Sequence, residues 1–566
     1  MIDDFDFDPG SGRIALLCRG VTGERWIEIR NSAGEAIRRI PPNYLPHHPR
    51  WSPDGKKLTF SGNDGRIAVH DVSRDETTII YDDNRMQAGF SRWSPDGSHL
   101  AFTAYGRHIT EHGFTRPPDL FRHEIATGVT ERLTNSDNFV DRFPAWSPSG
   151  RQIAFHRGDL DEDEKPQEAC IYDRTRKSVR PVLKGTTSQH FGLSPWSTDE
   201  RWFSLSERTE SGYRTRVVDL SGQAADCLKF PGREGVFSSE PGSTELLCID
   251  TGEVAWHEVP SGRKCASIQL PPGVEVAKEL TWHKVAFGDH GRCVYFIGTD
   301  GKVYFGEKGA GCAVFAEYDE PAPEYSLQEF VVTASDGLEL PAQRLVPASP
   351  RNVAVVYVHG GPGGDLNRTD SWAMCLVREG FEVVRVAYRG SRGFGDNLFQ
   401  ANRGVAGVKD VQDVIDTGIA WHNHFGAGRD LALFGNSYGG YLGMMAVKHP
   451  ESPFSCVVAT CCCMNLRVLP GRHGTLLPPG AIERERALEE RSVRRNVERI
   501  RVPVLLFHGE LDTVASTSDM RRLHESINES GGDCSLVVYP DDTHGLAKHR
   551  AEIFAKVSQF VDRNAA

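Results

Sequence analysis

Leu433-Phe434-Gly435-Asn436-Ser437-Tyr438-Gly439-Gly440-Tyr441-Leu442 is the stretch on which the reading of this 566-residue chain turns. It contains G-x-S-x-G, the pattern in which a sharp turn between a strand and a helix presents a serine hydroxyl for attack. Glycines two residues either side of the serine are needed because the turn is strained and side chains there would meet the crossing strand and helix. The flanks agree. Asp430-Leu-Ala-Leu-Phe434 reads as a short buried strand, and Tyr441-Leu-Gly-Met-Met-Ala-Val-Lys-His449 as a helix stopped by Pro450. The expectation is a serine hydrolase with Ser437 as nucleophile.

Such a motif gains weight from partners in the right order, which in the α/β-hydrolase arrangement is Ser, then Asp or Glu, then His, the last two on loops after later strands. Arg501-Val-Pro-Val-Leu-Leu-Phe507 suits a parallel strand covered on both faces and ends in His508-Gly509-Glu510-Leu511-Asp512. Cys534-Ser-Leu-Val-Val-Tyr539 is a second such run, followed by Pro540-Asp541-Asp542-Thr543-His544-Gly545. Residues 516–529 between them supply the helix that a right-handed parallel crossover needs. Asp512 and His544 thus fall at strand ends in the required order. Asp541 and Asp542 are rivals for the acid, but both belong to the histidine's own loop.

A serine hydroxyl is a poor nucleophile near neutral pH. A neutral imidazole must take its proton, and a buried carboxylate must orient that imidazole and stabilise its charged form. Ser437, His544 and Asp512 are expected in those roles. Acyl transfer also needs donors aimed at the oxygen that becomes negative. Val353-Ala-Val-Val-Tyr-Val358 reads as a buried strand and ends in His359-Gly360-Gly361-Pro362-Gly363-Gly364, a loop whose backbone can approach a ligand closely. The Gly361 N–H is expected as one donor and the N–H of Tyr438 as the other, with His359 structural.

The amino-terminal half repeats. Trp51-Ser-Pro-Asp-Gly-Lys-Lys-Leu-Thr-Phe60, Trp93-Ser-Pro-Asp-Gly-Ser-His-Leu-Ala-Phe102 and Trp146-Ser-Pro-Ser-Gly-Arg-Gln-Ile-Ala-Phe155 place a turn between a tryptophan and an alternating strand. Weaker copies begin at Phe7, Trp196, Phe237 and Phe287, which makes seven starts. A period of roughly 40 to 50 residues with several short strands per unit is the mark of propeller blades. Seven blades are expected over residues 1–320. A proline- and acid-rich break near 318–326 separates them from a second domain, 321–566, with a doubly wound, mostly parallel sheet.

His359-Gly-Gly-Pro362, Ala387-Tyr-Arg-Gly-Ser-Arg-Gly-Phe-Gly395, Gly435-Asn-Ser-Tyr-Gly-Gly-Tyr441, Pro503-Val-Leu-Leu-Phe-His-Gly509 and Asp542-Thr-His-Gly545 together resemble the prolyl oligopeptidase family of serine peptidases, nearest its acylaminoacyl-peptidase branch. The repeats resemble TolB-like propeller repeats. The resemblance implies a propeller followed by an α/β-hydrolase domain, acting on short peptides or acylated amino acids, with the propeller gating access. It carries Ser437, Asp512, His544, Gly361 and Tyr438 over as site residues. It departs from the family where Asp512 is followed by Thr513-Val514-Ala515-Ser516 rather than by two residues and Val-Pro. Relatives often form dimers or larger assemblies, which leaves a homo-oligomer open here. An esterase, amidase or acyltransferase working on a small non-peptide metabolite would use the same three residues, and a non-enzymatic scaffold would have a disabled set.

The net charge of −12 argues against a nucleic-acid partner, which needs clustered Lys and Arg. The start Met1-Ile-Asp-Asp-Phe-Asp lacks a signal-peptide pattern, and no apolar run approaches a membrane span, so a cytoplasmic protein is expected. Thirteen scattered cysteines suit reduced thiols, and Cys461-Cys462-Cys463 reads as small core residues, since consecutive strand residues cannot all face one ion. No cofactor or metal motif appears. Arg484 to Arg501 reads as a solvated helix surface, and Asp159 to Lys165 as an exposed blade loop. Residues 464–479, including Arg467, Arg472 and His473, read equally as pocket wall or surface loop.

Overall fold

The computed structural model describes residues 2–565 apart from short segments, the longest being 160–166, 187–194, 221–226, 277–284, 318–322 and 469–475. The chain divides into two compact units, one built from most of residues 1–320 and one from Pro321–Ala566.

The first unit is a seven-bladed β-propeller. Seven antiparallel sheets follow one another along the chain over residues 2–40, 46–81, 86–132, 139–186, 202–231, 234–269 and 285–316. Six of the seven repeat starts fall at or one residue before the end of a blade's first strand, as where Trp51 closes Pro46–Trp51, Trp93 closes Met86–Trp93 and Trp146 closes Phe139–Trp146, while Trp196 stands outside the strands and makes an isolated bridge to Phe203. The turn chemistry explains the repeated residue types. Ser52, Ser94 and Ser147 accept from the N–H of Lys57, His99 and Gln152 at 2.9, 2.9 and 3.2 Å. Gly55, Gly97 and Gly150 take left-handed φ of 66°, 70° and 69°, where a side chain is strained.

The tryptophans link blade to blade. Indole N–H groups of Trp51, Trp93, Trp146 and Trp196 donate to the carbonyls of Asp6, Arg50, Arg92 and Ala145 at 3.2, 3.1, 3.0 and 3.2 Å, each acceptor lying just before the preceding repeat start. The ring closes without a shared strand. Ile2, Phe5, Ile14 and Trp26 of the first blade pack with Cys293, Tyr295, Ile297 and Val303 of the last.

The second unit holds an eight-stranded sheet: β1 (Tyr325–Thr333), β2 (Glu339–Pro347), β3 (Ala354–Val358), β4 (Glu382–Val386), β5 (Leu431–Asn436), β6 (Cys456–Thr460), β7 (Val504–Gly509) and β8 (Cys534–Tyr539). The order is β1-β2-β4-β3-β5-β6-β7-β8, with β1 and β2 antiparallel and the rest parallel. Its helices are α1 (Ser371–Arg378), α2 (Asp396–Gln400), α3 (Lys409–His424), α4 (Tyr438–Ala446), α5 (Ala481–Glu490), α6 (Thr517–Glu529) and α7 (Arg550–Asn564). Alternate residues of the central strands feed two cores. Val356, Val358, Leu431 and Leu433 face α3 and α4, while Val355, Tyr357, Ala432 and Phe434 face α1 and α7. The strand order reverses at β3, which puts the topological switch point beyond the carboxyl ends of β3 and β5, where ligands bind in sheets of this kind.

Two sequence expectations change. The strand before Ser437 runs on to Asn436, and the helix after it starts at Tyr438 rather than Tyr441, because packing at the turn overrides the poor helix propensity of Gly439 and Gly440. The 484–501 stretch is not one solvated helix. It is α5, then a short 3₁₀ turn at Val497–Arg499, and Arg491 turns inward to the carbonyls of Gly404 and Ala406 at 3.3 and 2.7 Å. Residues 160–165 of the acidic stretch lie outside the described residues.

Candidate active site

Ser437 joins β5 to α4 with φ 55° and ψ −117°, a backbone state that non-glycine residues rarely adopt and that surrounding packing must hold. The packing is tight enough to name the atoms. A Cβ on Gly435 would lie 2.2 Å from the Gly439 carbonyl oxygen, and one on Gly439 would lie 2.0 Å from the Val358 carbonyl oxygen at the end of β3. Bare backbone at both positions is therefore required.

Three expected residues come together here. Ser437 Oγ lies 2.8 Å from His544 Nε2, and His544 Nδ1 lies 2.8 Å from Asp512 Oδ2. With Nδ1–H donating to the carboxylate, Nε2 is left to accept the serine hydroxyl proton. The Asp512 side chain is 0% exposed and that of His544 26% exposed. Asp512 Oδ1 accepts from the backbone N–H of Val514 and Ala515 at 2.8 and 2.9 Å, so the turn forms without the family's Val-Pro. Ser516, in the place of that proline, caps α6 by accepting from Asp519 N–H at 3.4 Å. Gly509 lets the loops after β7 and β8 meet, since a Cβ there would lie 2.4 Å from the Asp542 carbonyl oxygen.

The rival acids point elsewhere. Asp542 accepts from the N–H of Thr543 and Lys548 at 2.8 and 3.1 Å, and Asp541 bonds His549 at 2.8 Å. Both stabilise the histidine's loop.

Electrostatics pull the bonded pair in opposite directions. Burial pushes the Asp512 carboxyl up, but the charge and hydrogen bond of His544 and the surrounding donors outweigh it, and its pKa falls below the ordinary value. Burial pushes His544 down, yet the Asp512 carboxylate outweighs that and its pKa ends above the ordinary value.

The loop after β3 crosses the elbow. A Cβ on Gly360 would lie 3.4 Å from Ser437 Cβ, and Gly361 has φ 131° with a hypothetical Cβ 2.6 Å from Gly363 N. Neither the Gly361 amide nor that of Tyr438 finds an acceptor among the described residues. His359 bonds Ser391 Oγ through Nε2 at 2.9 Å, and its ring stacks on Tyr388 with centroids 4.3 Å apart, which pins the loop.

The three cysteines after β6 are buried and divide between the cores, Cys461 beside β7 and Cys462 and Cys463 beside α4. Cys461, His508 and Asp512 each place a donor atom within 4.8 Å of the others. Burial holds the Cys461 thiol far above its ordinary pKa, and Asp512 is committed to His544 and two backbone amides. That chemistry suits a structural cluster behind the acid rather than a metal cage. Arg467 pairs with Glu485, while Arg472 and His473 lie outside the described residues.

Sequence reasoning missed Asp410, a fully buried carboxylate in the first turn of α3 that receives the Tyr438 hydroxyl at 2.5 Å. The recurrence of aspartate at 410, 413 and 416, on one helix face amid apolar residues, was the available signal.

Comparison with known proteins follows the same division. Residues 368–566 match the prolyl oligopeptidase family. The human acylamino-acid-releasing enzyme is 28% identical over 472 residues, covering 76% of this chain and 59% of that protein. The Caenorhabditis elegans dipeptidyl peptidase family member 6 is 27% identical over 222 residues, covering 36% and 30%. The chain thus spans less than two thirds of the length of these relatives. A Mycobacterium tuberculosis puromycin-hydrolyzing peptidase aligns with a TM-score of 0.73 at 18% identity, covering 100% of this chain and 94% of that one. A Pyrococcus horikoshii acylaminoacyl peptidase gives 0.66 at 15%, covering 98% and 94%. At such identities the structural likenesses establish the fold. The carboxy-terminal unit of this chain, by the match over residues 368–566, is a prolyl oligopeptidase family domain.

Proposed function

We propose that this protein is a serine peptidase that hydrolyses short peptides or acylated amino acids through an acyl-enzyme on Ser437. The observation that carries the reading is the continuous hydrogen-bonded chain from Ser437 Oγ through both nitrogens of His544 to buried Asp512, at 2.8 Å in each link. His544 takes the Ser437 proton as the hydroxyl attacks the scissile carbonyl and returns it to the leaving amine. Asp512 holds the imidazole in its tautomer and stabilises its charged form. The developing oxyanion is received by the N–H groups of Gly361 and Tyr438. Water then repeats the sequence against the acyl-enzyme. Family membership of the catalytic unit and the human acylamino-acid-releasing relative favour amide over simple ester substrates.

A cytoplasmic location is part of the proposal, supported by twelve described cysteines that are all free thiols. No described helix is long and apolar enough to cross a membrane.

The test is purified wild type against Ser437→Ala on N-acyl-aminoacyl and aminoacyl p-nitroanilides beside p-nitrophenyl esters. The proposal expects anilide cleavage by the wild type alone. Cleavage of esters only would move the reading to a metabolite esterase or acyltransferase, and no cleavage would remove the peptidase assignment.

A further inference from the structure

Tyr438 presents two groups to two tasks. Its amide is proposed above as an oxyanion donor, while its phenol is fully buried and donates to Asp410 Oδ2 at 2.5 Å. Asp410 is also 0% exposed. The same oxygen accepts from Asn402 Nδ2 at 3.1 Å, and Oδ1 accepts from the backbone N–H of Gly407 and Val411 at 2.7 and 3.0 Å. No cationic side chain pairs with it among the described residues. Arg389, the buried cation nearby, is occupied by Asp413 at 2.7 Å and Asp336 at 3.0 Å.

A buried carboxylate without a counter-ion is costly, and an apolar residue in its place would serve stability better. Burial pushes the Asp410 carboxyl up to about 6, against the lowering effect of the Tyr438 and Asn402 hydrogen bonds. What the arrangement provides is direction. The backbone after Ser437 runs through Gly439, whose lack of a side chain is forced by the Val358 carbonyl oxygen, and Gly440, where a Cβ would be tight at 3.2 Å, so this turn has no rotamer-locked anchors of its own. The two tyrosines flanking that pair are tied at their far ends, Tyr438 to Asp410 and Tyr441 to the Arg491 carbonyl at 2.8 Å. Tyr438 also packs against Tyr441 and Tyr388, with ring centroids 5.4 and 6.3 Å away.

We propose that Asp410 is the positioning residue of the oxyanion cradle: by holding the Tyr438 phenol it fixes the direction of the Tyr438 N–H beside Ser437. The inference rests on the serine-peptidase reading and names the part that aims one of its donors. Asp410 touches no substrate and acts through Tyr438 alone.

The test uses the p-nitroanilide that wild type cleaves best, with Tyr438→Phe, Asp410→Asn and the double variant. It follows kcat, KM, Tm and inhibition by a peptide aldehyde of the same acyl group. The aldehyde's tetrahedral adduct puts its oxygen where the oxyanion sits. Each single variant is expected to lower kcat about tenfold to a hundredfold, less than the ~10²–10³ lost when an oxyanion donor is deleted outright. KM stays within about twofold, aldehyde affinity falls by the same factor as kcat, and the double variant is no worse than the worse single, since the two groups act as one unit. The inference is overturned if Tyr438→Phe keeps wild-type kcat, if the loss appears in KM, or if aldehyde affinity is unchanged while Tm falls. A wild type that cleaves no anilide and takes no fluorophosphonate on Ser437 overturns the peptidase reading and this inference with it. An active wild type with unaffected variants overturns the inference alone.

Discussion

The two glycine-bearing turns that dominate this chain solve opposite problems. The Trp-Ser-Pro-Asp-Gly turn recurs along the propeller, each copy satisfying its own backbone groups with a serine and a left-handed glycine and handing one indole N–H to the blade before. The elbow at Ser437 occurs once, places a non-glycine residue at φ 55°, and is held by backbone contacts from three separate elements. Repetition spreads a structural task over several similar sites, the blade-to-blade indole bond being made four times, by Trp51, Trp93, Trp146 and Trp196. The single strained turn carries the nucleophile we propose, and its packing leaves no room for a side chain at Gly435 or Gly439.

The sharpest separation of the two should come from the acid. Asp512→Asn keeps the shape of the site but turns the imidazole to the wrong tautomer, and kcat is expected to fall about 10⁴-fold. A loss under tenfold in steady-state anilide kinetics would mean that another carboxylate orients His544. Next comes the elbow's packing. Gly439→Ala drives a methyl into the Val358 carbonyl oxygen, and a stability loss of more than about 2 kcal/mol, with activity gone, should appear in denaturant unfolding of the catalytic unit.

The pH profile comes third. His544 must be neutral to accept the Ser437 proton, and its pKa is raised, so kcat/KM is lost as pH falls through a midpoint above the ordinary histidine value of about 6.5. Removing the Asp512 charge should shift that midpoint downward, and a shift upward would reverse the assigned electrostatics. The smallest effect is expected in the propeller. Trp93→Phe keeps an aromatic side chain but removes the indole N–H donated to the Arg50 carbonyl and part of a buried ring, costing about 1–3 kcal/mol and leaving kcat within twofold. A collapse of the fold in this variant would break the claim that the blades share their task.

How much of this could be read from the chain follows from how local each constraint is. The blade starts were visible because the turn needs particular residue types at fixed spacing, and the structure places six of the seven at or beside the end of a first strand, with Trp196 on an isolated bridge. Ser437, Asp512 and His544 were visible because each follows an apolar strand. The start of α4 was misread because glycines 439 and 440 oppose a helix locally, while Gly439 is imposed by contact with the end of β3 and Gly440 packs tightly on Gly435 and Cys462, contacts that propensity does not contain. Arg491 looked like a surface charge because its acceptors, the carbonyls of Gly404 and Ala406, lie more than eighty residues away. Asp410 escaped for the same reason: one carboxylate gathers donors from Asn402, Gly407 and Tyr438, a set that only the fold assembles.

The most direct test of the central claim is mass spectrometry of wild type, Ser437→Ala and Asp512→Asn after brief exposure to a fluorophosphonate. The account predicts one adduct, mapped to the peptide carrying Ser437 in the wild type, none in Ser437→Ala and much slower labelling in Asp512→Asn. A wild type that stays unlabelled, or an adduct on a different serine, would contradict it.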